Sequence, residues 1–159
     1  MEHSTQLNLA QLNIGRVRHP VDDPRMADFM NNLALVNGLA ERSEGFVWRL
    51  KDETGNATNI QAFDDPRIIP NMSVWKSIET LERFVWQTVH KRFYGRKQEW
   101  FERMDGPHLV MWWIPQGHRP TIAEAVERLN HLNQHGSSDY AFGWDHVASA
   151  KLWKAARCA

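Results

Sequence analysis

The chain has 159 residues, and its 19 Lys and Arg balance its 19 Asp and Glu, so the formal net charge is zero. This length allows one domain with a substantial core, and balanced charge gives no general reason to bind nucleic acid or an anionic membrane. No apolar run approaches the roughly 18 residues of a membrane span, and the single cysteine, Cys158, excludes a disulfide framework. We expect a cytoplasmic protein, because the first twenty residues lack the apolar block of a signal peptide.

The first half of the chain is predicted to form three strands and one helix. The segment from Leu7 to Arg16 alternates in the manner of a strand. Asp23 is a suitable N-cap and Pro24 a suitable first residue for a helix that continues to about Arg42. Two further strands, separated by a long loop, are predicted at Phe46 to Lys51 and Ile68 to Lys76.

The second half is predicted to form two helices and one strand. Ser77 is a suitable N-cap, and apolar residues recur behind it every three or four positions. We expect this helix to reach Arg103, with an interruption near Thr88 or Gly95. The remaining predicted elements are a strand, His108 to Ile114, and a third helix, which runs from the capping box at Thr121 to Gly136.

This order, β-α-β-β-α-β followed by an extra C-terminal helix, predicts an α+β, ferredoxin-like fold. The four strands would form an antiparallel sheet, and the first two helices would cover one of its faces. We expect residues 1–136 to form the domain and residues 137–159 to form a C-terminal tail.

The face of the sheet left without helices is predicted to combine large apolar side chains with a few polar groups. Such a surface is poorly solvated, which predicts a homodimer that encloses one small-molecule cavity in each subunit. The alternative is a monomer with a scattered apolar surface. This face would carry Leu7, Leu9, Gln11 and Asn13, then Asn71, Ser73 and Trp75, one of Trp112 and Trp113, and either Phe46 and Trp48 or Val47 and Arg49.

Several blocks of the sequence are similar to a known family. They include LAQLNIGR, GFVWRL, GNATNIQAFDDPR, NMSVWKS, RFVWQTVHKRF, WFERMD and LVMWWIPQG. Together they resemble an uncharacterised bacterial family related to the antibiotic-biosynthesis monooxygenases, in the dimeric α/β-barrel superfamily. The resemblance covers about Leu7 to Gly136 and implies a ferredoxin-like subunit with a sheet-mediated dimer. It implies no single reaction, because that superfamily includes cofactor-free oxygenases, haem-degrading oxygenases and pure ligand binders.

His90 is the candidate catalytic residue. It follows Trp86 by four positions, so both project from one side of the second helix, about a quarter turn from its apolar stripe. The resemblance implies a histidine near this helix that faces the cavity. A neutral imidazole there could take a proton from a phenol or hydroquinone, and the resulting carbanion could meet O₂ without a cofactor. The alternative is a boundary histidine that makes one structural hydrogen bond.

The haem-degrading members of the superfamily offer a competing interpretation. In those proteins an Asn on the first strand, a Trp and an axial His form the site, and Asn13 matches the Asn. Without gaps, however, the ring position falls on Phe84 and the axial-ligand position on Tyr94. His90 would need to shift by one helical turn to serve as the axial ligand. The sequence also contains no glycine-rich phosphate-binding loop, so a nucleotide cofactor is not indicated. No cofactor is therefore expected.

The predicted substrate-binding residues are polar anchors and large rings. Amides and indole N–H groups can hold a substrate carbonyl or an oxyanion, although any single ring more often only packs. We expect Trp75→Ala to change ligand affinity more than stability. The predicted anchors are Asn13, Arg49, Asn59, Asn71 and Ser73, and the predicted rings are Trp48, Trp75, Trp86, Tyr94 and one of Trp112 and Trp113.

No metal site is expected. Glu127, His131 and His135 share one side of the third helix, and two histidines one turn apart can bind Zn²⁺. No fourth ligand is evident, however, so a solvated helix face is the better interpretation. The sequence predicts a cofactor-independent, monooxygenase-like enzyme that acts on an aromatic or polyketide-like small molecule. The alternative is a non-catalytic small-molecule-binding or accessory protein with the same fold.

Overall fold

The computed structural model describes residues 6–52, 57–58 and 60–147, without the side chain of Tyr94. Its centre is an antiparallel sheet of five strands. The strands are β1 (Leu7–Val17), β2 (Phe46–Arg49), β3 (Ile68–Trp75), β4 (Phe101–Glu102) and β5 (Leu109–Pro115). The order is β2-β3-β1, and the other edge of β1 is shared by β4 and β5. This arrangement confirms the predicted α+β, ferredoxin-like fold.

The three helical segments predicted from the sequence begin at the predicted caps, and the first of them opens with a 3₁₀ turn, Pro24–Met26, that leads into the first α-helix. Asp23, Ser77 and Thr121 each accept a hydrogen bond at a helix start, from the backbone N–H of a residue two or three positions later. None of the helices in the described ranges is long and apolar enough to cross a membrane. The α-helices are α1 (Ala27–Glu41), α2 (Ile78–Phe84), α3 (His90–Phe93), α4 (Lys97–Trp100) and α5 (Ile122–His135).

The predicted second helix is interrupted twice. A π-helical turn, Val85–Val89, separates α2 from α3, and a 3₁₀ turn, Tyr94–Arg96, separates α3 from α4. The segment that was expected to continue the helix to Arg103 instead forms β4, which pairs with the end of β1. The pairing gives the end of β1 a neighbouring strand, and the backbone N–H of Arg18 donates to the carbonyl of Trp100 at 2.8 Å.

The sheet has two faces, and both are covered by helices of the same chain. Leu9 and Trp75 pack with Ala40 of α1 and Leu81 of α2, so we call this side the cavity face. On the opposite side, the α5 face, buried strand residues pack against α5. These strand residues are Ala10, Leu12, Met72, Val74, Val110, Trp112 and Ile114.

The prediction that this face of the sheet carries no helices is therefore wrong. Leu9, Gln11, Asn13, Ser73 and Trp75 were expected to lie away from the helices, and they lie on the cavity face that α1 and α2 cover. Alternation along a strand shows which residues share a face. It does not show which face the helices cover, and here the extra helix α5 covers the other one.

A β-bulge in β2 changes which of its residues face the cavity. Phe46 pairs with Trp75 and Arg49 with Ser73, whereas Trp48 pairs with Val74. The register shifts between Phe46 and Trp48. Phe46 and Arg49 therefore lie on the cavity face and Trp48 on the α5 face, so neither predicted pairing was right, because an inserted residue reverses the alternation.

A polar anchor joins α5 to the sheet. Trp112 Nε1 donates to Glu124 Oε2 at 2.9 Å, and His118 Nε2 lies 2.7 Å from Glu124 Oε1. Burial raises the pKa of Glu124, but the hydrogen bonds from His118 and Trp112 outweigh it, so the pKa lies below its usual value of 4.5. The ionised carboxylate thus stabilises the fold.

We expect Glu124→Gln to lower the free energy of unfolding by about 1–2 kcal/mol at pH 7, because a charged hydrogen-bond acceptor is lost. The folded-state pKa is depressed, so this stability is present above the unfolded-state pKa. It is lost as the pH falls through the lower, folded-state value. The urea unfolding curves of the wild type and the variant should therefore converge as the pH falls below the folded-state pKa of Glu124. Glu79→Gln, an exposed change on α2, is the control, and equal losses in both variants would contradict the anchor.

Candidate functional site

A cavity of about 970 Å³ lies between the cavity face of the sheet and the helical segments from α1 to α4. All of its walls come from one chain. Six residues predicted from the sequence line it together. They are Asn13, Arg49, Asn71, Ser73, Trp75 and His90.

One end of the cavity is closed by aromatic rings. Trp75 is fully buried; its ring stacks on Phe84 with 5.1 Å between centroids and meets Phe46 edge-on at 5.6 Å. Such pairs add stability beyond the area they bury. Trp75 is thus both a cavity wall and a core residue, and the expectation that its loss would mainly affect ligand affinity must change.

A row of polar side chains crosses the sheet wall, and we call it the amide row: Gln11, Asn13, Asn71 and Ser73. Gln11 Nε2 donates to Ser73 Oγ at 2.7 Å and to Asn71 Oδ1 at 3.1 Å. Trp75 Nε1 also donates to Ser73 Oγ, at 2.9 Å. Because Ser73 Oγ accepts two hydrogen bonds, its own hydrogen remains to be donated.

Asn13 is the member of the row whose oxygen has no partner. Its side chain lines the cavity, and its Oδ1 is buried without a hydrogen-bond donor among the described residues. Buried polar atoms are nearly always paired in native proteins, and leaving one unpaired costs about 1–3 kcal/mol. A half-turn about χ2 exchanges Oδ1 and Nδ2, so this side chain can offer a ligand either an acceptor or a donor.

The π turn brings His90 to the cavity. In an unbroken α-helix, His90 would be rotated by about 140° from Val85, which also lines the cavity. The backbone N–H of His90 instead bonds to the carbonyl of Val85, five positions earlier. The wider turn rotates His90 onto the same side as Val85, and its ring stacks on Trp86 with 4.7 Å between centroids. The imidazole is held in place opposite the sheet wall.

Arg49 is the charged residue of the predicted set. Its side chain is only 10% exposed, and its Nε bonds to Glu41 at 2.8 Å. Hydrogen bonds from Lys51 and Arg49 lower the pKa of Glu41. The ion pair with Glu41 compensates the charge of Arg49 and joins β2 to α1. The side chain of Arg49 also lines the cavity.

Other predicted site residues are not brought to the cavity. Trp48 lies on the α5 face, and Trp112 is buried there with its indole N–H on Glu124. Trp113 packs against Phe142, with centroids 6.1 Å apart, and Trp86 is not a lining residue although it supports His90. Asn59 and the side chain of Tyr94 lie outside the described residues.

Residues that the sequence reasoning missed supply much of the helix wall and the opening. On α1, lining residues recur at Phe29, Leu33, Val36 and Ala40, which is a regular helical stripe. This stripe was visible in the sequence, but it could not be assigned to a cavity while the covered face was unknown. Three further lining residues, Arg18, Arg103 and His108, lie at the opening, where no local pattern marks them.

No group of three or more side chains suited to a metal ion occurs within the described part of the chain. On α5, the His131 and His135 rings lie 4.6 Å apart. Glu127, on the same helix, accepts a hydrogen bond from the hydroxyl of Tyr140. These side chains form a surface cluster.

Comparison with known proteins gives one family match and several similar solved structures. A model described as a domain of unknown function, DUF3291, matches residues 8–158. A protein from Nitrosomonas europaea, provisionally named an antibiotic biosynthesis monooxygenase, is 10% identical with a TM-score of 0.46, over 74% of this chain and 97% of that one. The comparison with curated proteins gives no match.

Two further solved structures are similar over most of their length. A conserved protein from Methanosarcina mazei Go1 is 13% identical, with a TM-score of 0.45, over 69% of this chain and 93% of that one. A protein from Pseudomonas aeruginosa is 12% identical, with a TM-score of 0.42, over 74% of this chain and all of that one, 100%. Such values assign no activity to this chain.

The predicted resemblance to an uncharacterised family agrees with the family match. The family model spans nearly the whole chain, including the segment after α5. The chain therefore belongs to DUF3291, a family defined by a domain of unknown function.

Proposed function

We propose that this protein binds an apolar, oxygen-bearing small molecule in its cavity and acts on it as a cofactor-independent, monooxygenase-like enzyme. The observation that carries the proposal is that two groups of the amide row still lack a hydrogen-bond partner within a large cavity. Asn13 Oδ1 has no donor among the described residues, and the hydroxyl hydrogen of Ser73 remains to be donated. A ligand hydroxyl between them would satisfy both groups, because it would donate to Asn13 Oδ1 and accept from the Ser73 hydroxyl.

His90 is proposed as the base. It lines the helix wall, opposite the amide row on the sheet wall. A base there could take a proton from a substrate whose conjugate anion is stabilised by aromatic rings. Ser73 and Asn71 would donate hydrogen bonds to the oxygen on which the negative charge collects.

The reaction we propose uses O₂ as the second substrate. The anion of a CH₂ group between two aromatic rings is oxidised at carbon: two C–H bonds break and a C=O bond forms. One oxygen atom of O₂ becomes the carbonyl oxygen, and the other leaves as water with both hydrogens. Anthrone, which gives anthraquinone in this way, is a suitable probe because its enol is also a phenol. The chain's own residues would bind, orient and deprotonate it.

The alternative is a non-catalytic binding protein with the same cavity. The rings around Trp75 and the amide row would serve a binder equally well. What favours an enzyme is that the wall of the cavity carries an imidazole, that of His90, as well as rings and amides.

We expect Asn13→Leu to weaken the binding of 1-naphthol about tenfold while leaving the free energy of unfolding unchanged or higher. The reason is that Asn13 Oδ1 is a buried polar atom without a partner, so the fold gains nothing from it. Affinity is measured by the fluorescence of 1-naphthol, and stability by urea unfolding.

Two controls separate hydrogen bonding from shape. 1-Methylnaphthalene has a similar shape but no oxygen, and its affinity should not fall in Asn13→Leu. Asn130→Leu, an exposed change on α5, should leave both affinities as in the wild type. Equal changes for both ligands in Asn13→Leu would refute a hydrogen-bonding role for Asn13.

A homodimer and a cytoplasmic location remain proposals. Most of the residues that led to the dimer line the cavity of one subunit, so they no longer favour a partner. They are Gln11, Asn13, Asn71, Ser73 and Trp75. Support now comes from β2 at the edge of the sheet, where Val47 is 41% exposed beside a groove of about 510 Å³. We expect sedimentation to give the mass of two chains. The mass of one chain would refute the dimer and would leave the proposed function of the cavity unaffected.

A further inference from the structure

The exposed lining residues of the cavity gather at the end of β1, and several are basic. We call Arg18, Lys97, Arg103 and His108 the basic rim; all four are exposed and line the cavity. Arg18 Nε donates to the carbonyl of Gln98 at 2.7 Å. Its guanidinium group therefore lies against the segment that carries Lys97.

The positive charges of Arg18 and Arg103, two members of the basic rim, are not cancelled by an acidic residue of the cavity lining. The only acidic residue that lines the cavity in the described part of the chain is Glu102. Its Oε1 is bound by Arg67 at 3.0 Å, and its Oε2 lies 4.0 Å from Arg16. By contrast, Arg18 and Arg103 form no ion pair with any residue of the described ranges. The opening therefore presents net positive charge to an entering molecule.

Behind the basic rim the cavity becomes apolar and aromatic. The Phe29 ring lies 5.1 Å from Phe101 and 5.9 Å from Phe93, and all three rings line the cavity. Phe101 also covers Gly15 closely, since a Cβ built there would lie 2.6 Å from the ring. The wall therefore combines a charged opening with a ring-lined interior.

We propose that the ligand of this cavity is an amphipathic organic anion, such as an aryl carboxylate. Its negative head group lies among the basic rim, and its apolar body extends between the phenylalanine rings toward the amide row. This inference rests on the proposed function, because it assigns a charge to the ligand of the same cavity. The exposed guanidinium groups of Arg18 and Arg103 act mainly by Coulomb attraction, and each raises the affinity a few-fold.

Two dyes with the same rings test this charge preference. 1-Anilinonaphthalene-8-sulfonate is anionic, and N-phenyl-1-naphthylamine lacks its sulfonate. Both are measured by fluorescence titration. We expect Arg103→Gln to weaken binding of the anionic dye about fivefold, and the Arg18→Gln/Arg103→Gln double variant to weaken it further. Affinity for the neutral dye should stay within about twofold. Raising NaCl from about 20 mM to about 500 mM should also weaken only the anionic dye.

The control variant is Arg92→Gln, which removes the same charge from an exposed position of α3 outside the cavity lining. Its dye affinities should equal those of the wild type. If Arg92→Gln weakened binding of the anionic dye as much as Arg103→Gln does, the inference would be overturned. The inference would also be overturned if Arg103→Gln weakened the binding of both dyes equally. Equal affinity of the wild type for the two dyes would overturn it as well. If neither dye bound, the cavity function itself would fail.

Discussion

Replacing Trp75 with alanine is expected to lower the free energy of unfolding by about 3–5 kcal/mol. The ring is fully buried, stacks on Phe84, meets Phe46 edge-on and donates its N–H to Ser73. Its removal would leave a void where the sheet meets α2 and would cost Ser73 a hydrogen bond. Urea unfolding curves of the purified variant measure the loss.

Two matched variants test whether the loss of stability comes from the buried ring of Trp75. Trp75→Phe keeps an aromatic ring and should cost clearly less than alanine. Trp86→Ala removes a half-buried indole that does not line the cavity, and it should also cost less. A Trp75→Ala loss below about 1 kcal/mol would contradict this role for the ring and restore the sequence-based expectation that affinity changes more than stability.

The second large effect is expected at His90. His90→Ala should lower the rate of conversion of anthrone to anthraquinone by about 10²–10⁴-fold, the usual contribution of a positioned general base. The fold should persist, because the residue is only half-buried and Trp86 keeps its place on the helix. Oxygen consumption and product formation measure the rate, and thermal unfolding checks the fold.

His135→Ala is the matched control for this prediction, since it removes an exposed histidine at the end of α5. It should retain the wild-type rate. Full activity in His90→Ala would eliminate the imidazole as the base. A wild-type protein that binds anthrone without converting it would establish the non-catalytic alternative instead.

The order and type of the elements could be predicted because their signals are local. Asp23, Ser77 and Thr121 begin helices through their own side chains, and each accepts the expected capping bond. The alternation of β1 likewise separates Leu9 from Ala10 without reference to any other segment. Such signals need only a few neighbouring residues.

The assignment of faces could not be predicted, because it depends on contacts between distant segments. Gln11 and Trp75 were placed correctly on one side of the sheet, but α1 and α2 lie on that side and α5 on the other. The bulge in β2 is a further non-local feature, since its register is defined only by pairing with β3. Trp48 was assigned to the site for this reason and lies elsewhere.

The candidate site was predicted in its polar part better than in its aromatic part. Asn13, Asn71 and Ser73 share a face by alternation alone, so any arrangement of helices keeps them together. Indoles such as Trp112 can pack on either face or at an edge, and only tertiary structure decides. The opening, with Arg18 and Arg103, is assembled from three segments and carries no sequence pattern.

The π turn at Val85–Val89 affects how this chain should be aligned with relatives. The π turn contains one residue more than the corresponding turn of an uninterrupted α-helix. A gapless alignment to a homologue with a regular helix would therefore pair every later position one place out of step. His90 would then be matched to an outward-facing residue, and its true counterpart would be overlooked unless a single-residue gap were opened in that turn.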